Sequence, residues 1–379
     1  MRIMFTGGGT GGHFYPIIAV AEEVNRLIDQ EKIIGAKLYY MSDSPYDKSA
    51  LFENGITYIE VPAGKMRLYN SVANVADWFK IGIGCVIALV KMFAIYPDIL
   101  FSKGGYAAFP ALFAARILRI PVIIHDSDSI PGRVTLWSAR FADRIAISYD
   151  SAVSYFPKEV QSKIALTGQP IRKELLHLEP EGAFEYLRLD PSVPTIFIIG
   201  GSQGAEKIND VVLDTIPQLV EKYQIIHQVG SKNISNVESR LPVILERTQY
   251  KDRYTHFGTL SPLAMKMAAG AAKLVISRAG SGSIFELANW GVPAILVPIP
   301  ESVSRDQHKN AFTYARAGAC VVIEEANFAP NIIIQEIDKL MNNEELRTKM
   351  STHAKSFAKI DAAQKIAHAI FDTAVTHEF

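Results

Sequence analysis

The segment Arg2-Ile-Met-Phe-Thr-Gly-Gly-Gly-Thr-Gly-Gly-His13-Phe-Tyr-Pro16 decides how the rest of the chain is read. Ile3 to Phe5 predict a buried strand, Gly7 to Gly12 a tight turn, and Pro16 to Leu27 a helix with apolar residues at helical spacing. A strand running through glycines into a helix leaves backbone N–H groups unpaired at the positive end of the helix dipole. That is a seat for phosphate or another anion. His13, at the mouth of the turn, is the one side chain there able to move a proton near neutral pH. Gly7, Gly9 and Gly12 also satisfy the dinucleotide pattern G-x-G-x-x-G, a weak signal by itself.

Outward from this turn, composition bounds the answer. The chain has 379 residues, 49% of them hydrophobic, enough for two domains of roughly 150 residues each. Lys+Arg and Asp+Glu both total 39, so no global field recruits nucleic acid. Cys85 and Cys320 stand apart without metal-ligand spacing and read as buried thiols of a reducing compartment. The sequence opens directly on a strand, so no signal peptide is expected. The longest apolar run, Ile81 to Ile95, is interrupted by Lys91 and reads as too short to span a bilayer. A cytoplasmic protein is expected.

Strand-like runs alternate with helical patterns, which predicts a parallel sheet with crossover helices. After the opening unit come Lys37 to Met41, Ile56 to Val61, Ile99 to Phe101, Val122 to Ile124, Ile145 to Ile147 and Ile164 to Leu166. A polar stretch from Gly168 to Pro194 follows, and the pattern restarts with Thr195 to Ile199 and Gly200-Gly-Ser-Gln-Gly204. The second turn is a near copy of Gly8-Gly-Thr-Gly-Gly12. The expected fold is therefore α/β, with two Rossmann-like domains over residues 1–165 and 166–345 facing across a cleft. Residues 346–379 read as polar helices.

Within the second half, Leu274 to Glu286 again reads as strand, small-residue turn and helix start. Ser281, Gly282 and Ser283 suit a diphosphate, and Glu286 lies where a carboxylate accepts bonds from ribose hydroxyls; taken alone, a helix-start Glu favoured by the dipole explains it better. Val292 to Pro298 predicts a buried strand leading to a polar loop with Arg305, Asp306, Gln307 and Asn310. An amide such as Gln307 suits sugar hydroxyls.

The glycine turn with His13, Gly104-Gly-Tyr106, His125-Asp126, Gly200 to Gly204, Ser277-Arg-Ala-Gly280, Glu286, Gln307 and Asn310 together resemble the MurG family. Those enzymes are GT-B glycosyltransferases that add N-acetylglucosamine to the lipid-linked cell-wall precursor. The blocks come in the family's order and span nearly the whole chain. The resemblance implies that Ser202 and Gln203 meet the UDP diphosphate, with Arg172 lending charge. It implies Glu286 at the ribose, Ser281 to Ser283 at the phosphate, Gln307 at the sugar and Gly258 at uracil. Thr10, Gly11, Gly12 and His13, with Gly104, Gly105 and Tyr106, would face the acceptor. It further implies that the C-terminal helix returns to the first domain. Three departures bear on the fine sugar contacts: His125-Asp-Ser-Asp128 replaces His-Glu-Gln-Asn, Gln169 replaces Asn, and Asp306 precedes Gln307. Asp128 can accept hydrogen bonds but not donate them.

The implied reaction is an inverting transfer from UDP-GlcNAc to the hydroxyl of an undecaprenyl-linked muramyl-pentapeptide. His13 is the first candidate for the base, against a purely structural or phosphate-binding role, and Asp126 or Asp128 is the reserve. Arg172 or Arg278 and helix N-termini would meet the departing charge. Asp126-Ser-Asp128 spells the D-x-D metal signature, but that belongs to a single-domain fold without the glycine repeat; neither metal nor cofactor is expected. Lys65 to Tyr69 and Trp78 to Phe93 mix aromatic, aliphatic and basic side chains (Lys65, Arg67, Lys80, Lys91 against Asp77), which suits an anionic membrane surface. A peripheral position on the cytoplasmic face of the membrane is expected, with other cell-wall synthesis proteins as further partners. Two rivals remain: another GT-B enzyme with a different sugar or acceptor, and an NAD-dependent oxidoreductase with Asp43 on the ribose. The second glycine turn weighs against the oxidoreductase, and it moves the opening turn from nucleotide seat to acceptor seat.

Overall fold

A computed structural model of the chain describes residues 1–65, 72–200 and 205–377. The chain divides into two compact units, Met1–Lys173 with Lys359–Phe379, and Glu174–Ala358.

The first unit is built on a seven-stranded sheet: β1 (Arg2–Thr6), β2 (Lys37–Ser42), β3 (Ile56–Glu60), β4 (Ile99–Ser102), β5 (Val122–Asp126), β6 (Arg144–Ile147) and β7 (Ile164–Leu166). The order is β3-β2-β1-β4-β5-β6-β7, and every neighbour is parallel. Successive residues of a strand point to opposite faces, and the core divides accordingly. Ile3, Phe5 and Phe101 pack under the Gly11–Gln30 helix through Ile17, Val20 and Val24. Met4, Leu100 and Ile124 pack on the other face with Ala88 and Met92 of the Val72–Ile95 helix and Leu112 of the Phe109–Leu118 helix.

The second unit repeats the plan with β8 (Thr195–Ile199), β9 (Gln224–Gln228), β10 (Tyr254–Phe257), β11 (Ala272–Ser277), β12 (Ala294–Leu296) and β13 (Cys320–Val322), all parallel in the order β10-β9-β8-β11-β12-β13. Val292 to Pro298 yields only three strand residues, since Pro293 and Pro298 lack the N–H a ladder needs.

Three expectations change. The first unit extends to Lys173 rather than 165, because the stretch after β7 is tied to it: Thr167 N–H donates to the Ile147 carbonyl, and Lys173 N–H to Glu22. The C-terminal segment is not one body. The Glu344–Phe357 helix stays with the second unit, its Phe357 ring 5.4 Å from Phe285 and 5.1 Å from Tyr314. Only the Ala362–His377 helix joins the first unit, since it alone carries the stripe Ile366, Ile370, Ala374 that fits beside Val20 and Val24. Third, the apolar helix is longer than Ile81 to Ile95: Asp77–Ile95 gives 19 residues, sufficient in length and composition to cross a membrane, and only 22% of the window is buried.

Ile370 is fully buried in the joint between the last helix and the first unit. Ile370→Ala is expected to cost about 2–5 kcal/mol, read as a lowered urea midpoint of the unfolding transition.

Candidate active site

In each sheet the winding direction reverses once, between β1 and β4 in the first unit and between β8 and β11 in the second. Ligands of such sheets bind at this point, beyond the carboxyl ends of the strands. The segments flanking the reversal are the glycine turns after β1 and β4 and the turn after β11; residues 201–204, after β8, lie outside the described residues. The sequence motifs thus fall where the topology opens.

In the first unit the turn after β1 is held from behind. The Gly7 carbonyl accepts from Tyr40 Oη at 2.6 Å and Ser42 Oγ at 2.9 Å. Gly9 has φ +91°, and a Cβ there would stand 2.9 Å from the Tyr106 ring, so no other residue brings the two turns together this closely. Gly9, Thr10 and Gly12 are exposed. Thr10 does not cap the Gly11–Gln30 helix with its side chain; its hydroxyl lies 3.0 Å from His13 Nδ1 instead. In the tautomer with Nδ1–H donating to Thr10, Nε2 carries a free lone pair. Gly105, after β4, lies against His13: a Cβ there would be 3.6 Å from Nε2 and 2.9 Å from the Gly8 carbonyl. Thr10, Gly11, Gly12, His13, Gly104, Gly105 and Tyr106 are therefore one cluster.

Its electrostatics set the protonation of the histidines. Burial, reinforced by the Lys103 ammonium, lowers His13 to about 4. His125, fully buried at the end of β5, is held well below its ordinary value by burial and then by Lys103. Lys103 is 2% exposed, donates to Ser127 Oγ, and is lowered to about 8 by burial against the opposing pull of Asp126 and Asp128. Lys103 and Ser127 are not among the site residues expected from sequence. Lys103 had one signal: a lysine set between a buried strand and Gly104-Gly105 has no route to solvent along the strand.

Asp126 takes a different part from the reserve base expected of it. Oδ1 accepts from Asp128 N–H at 3.1 Å and Oδ2 from Gly132 N–H at 3.0 Å, so both oxygens organise the turn after β5. Arg172 also departs from expectation. Its guanidinium stacks on Tyr15 at 4.1 Å, inside the first unit. Asp43 accepts a hydrogen bond from the Tyr106 hydroxyl, which ties it to the first unit's glycine cluster.

In the second unit, Ser202 and Gln203 lie outside the described residues. The turn after β11 is described in full. Gly280 is the N-cap of the Ser281–Trp290 helix without a side-chain cap, and Ser281, Gly282 and Ser283 form its first turn. No atom lies within 4 Å of a Cβ built at Gly280 or Gly282, so packing does not require glycine there. Glu286 follows on the same helix and is half-buried. Gln307, near the start of the Arg305–Arg316 helix, accepts from Ile299 N–H at 3.3 Å through Oε1, which leaves its amide nitrogen as the group to offer a sugar. Gly258 follows β10, packed near Ile234 and Ser231.

Two further expectations are corrected. Arg278 donates to the Val297 carbonyl at 3.1 Å and pairs with Glu325 at 2.5 Å, so its charge is matched within the unit rather than held for a leaving diphosphate. Asn310 is 0% exposed and has no surface to present to a sugar. The described residues contain no group of three or more His, Cys, Asp or Glu side chains able to hold a metal ion.

Two Rossmann-like parallel sheets, each with a glycine turn at its reversal point, are the architecture of two-domain nucleotide-sugar enzymes, and sequence comparison identifies the class as glycosyltransferase. Residues 3–147 match the glycosyltransferase family 28 N-terminal domain and residues 195–366 its C-terminal domain. A Treponema pallidum protein is 34% identical over 373 residues, 96% of this chain and 94% of its own; its name is UDP-N-acetylglucosamine–N-acetylmuramyl-(pentapeptide) pyrophosphoryl-undecaprenol N-acetylglucosamine transferase. A Bacillus cereus protein of the same name, numbered 2, is 33% identical over 366 residues, 96% of this chain and 97% of its own. The crystal structure of Acinetobacter baumannii MurG superposes with a TM-score of 0.73 at 25% identity, covering 98% of this chain and 99% of that one. The chain belongs to the MurG family.

Two outcomes follow from this geometry. Gly282→Ala fills open space at a helix start, so stability should hold or rise by up to ~1 kcal/mol, while UDP-sugar affinity measured calorimetrically falls at least tenfold. The second concerns acid stability. His227, 0% exposed between Tyr254 Oη (3.0 Å) and Asn209 Oδ1 (3.1 Å), is lowered to about 3 by burial and then by His256. Between about pH 6.5, its unfolded value, and pH 3, the unfolded chain binds a proton the folded chain refuses, so stability present above that window is lost as pH falls through it. His227→Gln should flatten the pH dependence of the unfolding free energy there by close to one proton.

Proposed function

We propose that this chain transfers N-acetylglucosamine from UDP-GlcNAc to a hydroxyl of the undecaprenyl-diphosphate-linked muramyl-pentapeptide, the lipid I to lipid II step of peptidoglycan synthesis. The observation that carries the reading is the division of labour between the two reversal points. The first has a proton acceptor, His13, beside an exposed glycine turn. The second has Ser281 and Ser283 at an open helix start with Glu286 on the same helix.

The acceptor's diphosphate is assigned to the N–H groups of Thr10 to Gly12, and its sugar to the neighbourhood of His13 and Tyr106. The hydroxyl oxygen bonds to the anomeric carbon as the bond to the UDP oxygen breaks, and the configuration inverts. The proton passes to His13 Nε2, and the electron pair leaves on UDP. Seated acceptor diphosphate adds negative charge beside His13 and raises it from about 4 toward the working range of a base at neutral pH. With Arg172 on Tyr15 and Arg278 on Glu325, the leaving charge falls to the Ser281–Trp290 helix N-terminus. Glu286 is assigned to the ribose and Gln307 Nε2 to the transferred sugar.

The acceptor is a membrane lipid, and the first unit has a surface suited to reach it. Trp78, Phe79, Ile83, Val86, Val90 and Phe93 are each at least 56% exposed along the Val72–Ile95 helix, and the first four line an open apolar groove of about 520 Å³. Ala88 and Met92 on the opposite stripe are 0% exposed within the sheet's core, so the helix is assigned to lie on the membrane rather than cross it. Lys65 and Lys80 are exposed beside the apolar face; Lys91 donates to the Glu60 carbonyl, and Arg67 and Tyr69 lie outside the described residues. The chain is assigned as peripheral, on the cytoplasmic face, with the other enzymes of cell-wall synthesis as neighbours.

Transfer of labelled GlcNAc from UDP-GlcNAc to a lipid-linked muramyl-pentapeptide is the direct test; a shift of the melting temperature by NAD, with none by UDP-GlcNAc, overturns the reading. His13→Ala should lower kcat by roughly 10²–10⁴ with UDP-GlcNAc affinity kept; turnover near wild type removes His13 as base. Phe79→Glu with Phe93→Glu should reduce co-sedimentation with anionic vesicles at least tenfold, at about 1.5–3 kcal/mol per buried aromatic. Activity on a water-soluble acceptor should persist in that variant.

A further inference from the structure

Lys103 is a charge the reaction as described does not use. It follows β4 directly, its N–H donates to the Thr6 carbonyl at 2.8 Å, and its Cβ would meet a Cβ on Gly7 at 3.0 Å, so it is wedged beneath the glycine turn. At 2% exposure it has lost almost all hydration, and its described hydrogen-bond partner is Ser127 Oγ, between Asp126 and Asp128. A buried ammonium is costly, and the attraction of Asp126 and Asp128 does not offset its burial, which is the larger effect. Stability therefore does not account for it.

The charged and titratable groups facing it come from three elements: His13 from the Gly11–Gln30 helix, His125 and Asp126 from β5, and Asp128 from the loop after β5. Once the acceptor's diphosphate is seated, the cluster gains at least two more negative charges, and Lys103 is the positive one among these facing groups. Without it, the sum of carboxylates and diphosphate would draw a proton onto His13 before the acceptor hydroxyl could supply one. A second feature lies in the same place: His125 Nδ1 and Gln169 Nε2 are buried with no hydrogen-bond partner among the described residues, so the polar network under the turn is incomplete in the protein alone.

We propose that Lys103 is a positioning residue for the transfer step: its buried ammonium anchors the Asp126–Asp128 turn through Ser127 and keeps positive charge off His13 while the anionic acceptor is bound. The inference rests on the proposed role of His13 as base and adds the group that keeps it available. It acts through His13 and Ser127, not on the substrate.

The test is Lys103→Met, which removes charge and keeps length. The melting temperature should be unchanged or higher. The His13 imidazole, followed by NMR in the substrate-free protein and assigned by loss of its signal in His13→Ala, should titrate about one pH unit higher. The acid limb of kcat against pH should move up by a similar amount, with KM for UDP-GlcNAc within twofold. Ser127→Ala keeps the charge and removes the anchor, so the His13 midpoint should stay in place. An unmoved His13 midpoint in Lys103→Met overturns the proposal, as does an unmoved acid limb. If Lys103→Met does not fold, Lys103→Gln carries the same two readouts. The NMR midpoint needs no sugar substrate, so a different donor or acceptor would leave this result standing, and a failed midpoint with intact transfer would sink Lys103 alone.

Discussion

A parallel sheet wound outward from its middle must send the crossover helices of its two central strands to opposite faces, and the backbone at their carboxyl ends is left uncovered. The candidate site of this chain depends on that constraint. Side chains would fill the gap, so the sequence places glycines there, and backbone N–H groups are left uncovered. In the first unit the gap is kept in shape from behind, by two hydroxyls on β2 that hold the Gly7 carbonyl and by Tyr106 seated where Gly9 has no Cβ. The second unit solves the same geometry with Gly280 and Gly282, where the space faces outward and is empty of protein atoms.

The two turns acquire different chemistry through their neighbours. The first turn sits over His125 and Lys103, both buried, which with half-buried His13 lie close enough to influence one another's charge. The second turn has hydroxyls and a helix dipole, and its nearest arginine is already matched by Glu325. One turn therefore presents a proton acceptor and the other presents hydroxyls at a helix start, on backbones that differ: Gly9 has φ +91°, Gly280 φ −63°.

Much of this was legible in the sequence because strand, glycine turn and helix are local features. The duplicated turns predicted two Rossmann-like units, and most strands of both sheets fall where apolar runs predicted them. β9, β10 and β13 gave no such run: Gln224 is polar because its amide donates to the Asp190 and Val193 carbonyls, His227 because it bonds Tyr254 and Asn209, and β10 and β13 have only four and three residues. The site was legible where residue type alone decides, as at His13 and Glu286. It was not legible where partners decide. Nothing in the spelling of Arg172 or Arg278 says that an aromatic ring or a carboxylate already holds it, and nothing in Asp126 says that both its oxygens accept backbone N–H groups. Lys103 was missed for the complementary reason, since a lysine counts as solvated until the fold encloses it.

The route of the chain has a consequence for how the protein comes into being. The first unit is closed by Ala362–His377, yet the whole of Glu174–Ala358 is made in between. On the ribosome, the apolar stripe of Ile17, Val20 and Val24 is synthesised early and waits for Ile366 and Ile370 until almost the entire sequence has emerged. The second unit, continuous in sequence, can complete its core first. The half that comes out first is thus the half that is finished last, and during that interval it exposes the stripe meant for its final helix together with the apolar face of Val72–Ile95. A nascent chain with two such surfaces has reason to meet a chaperone or a membrane before it is complete.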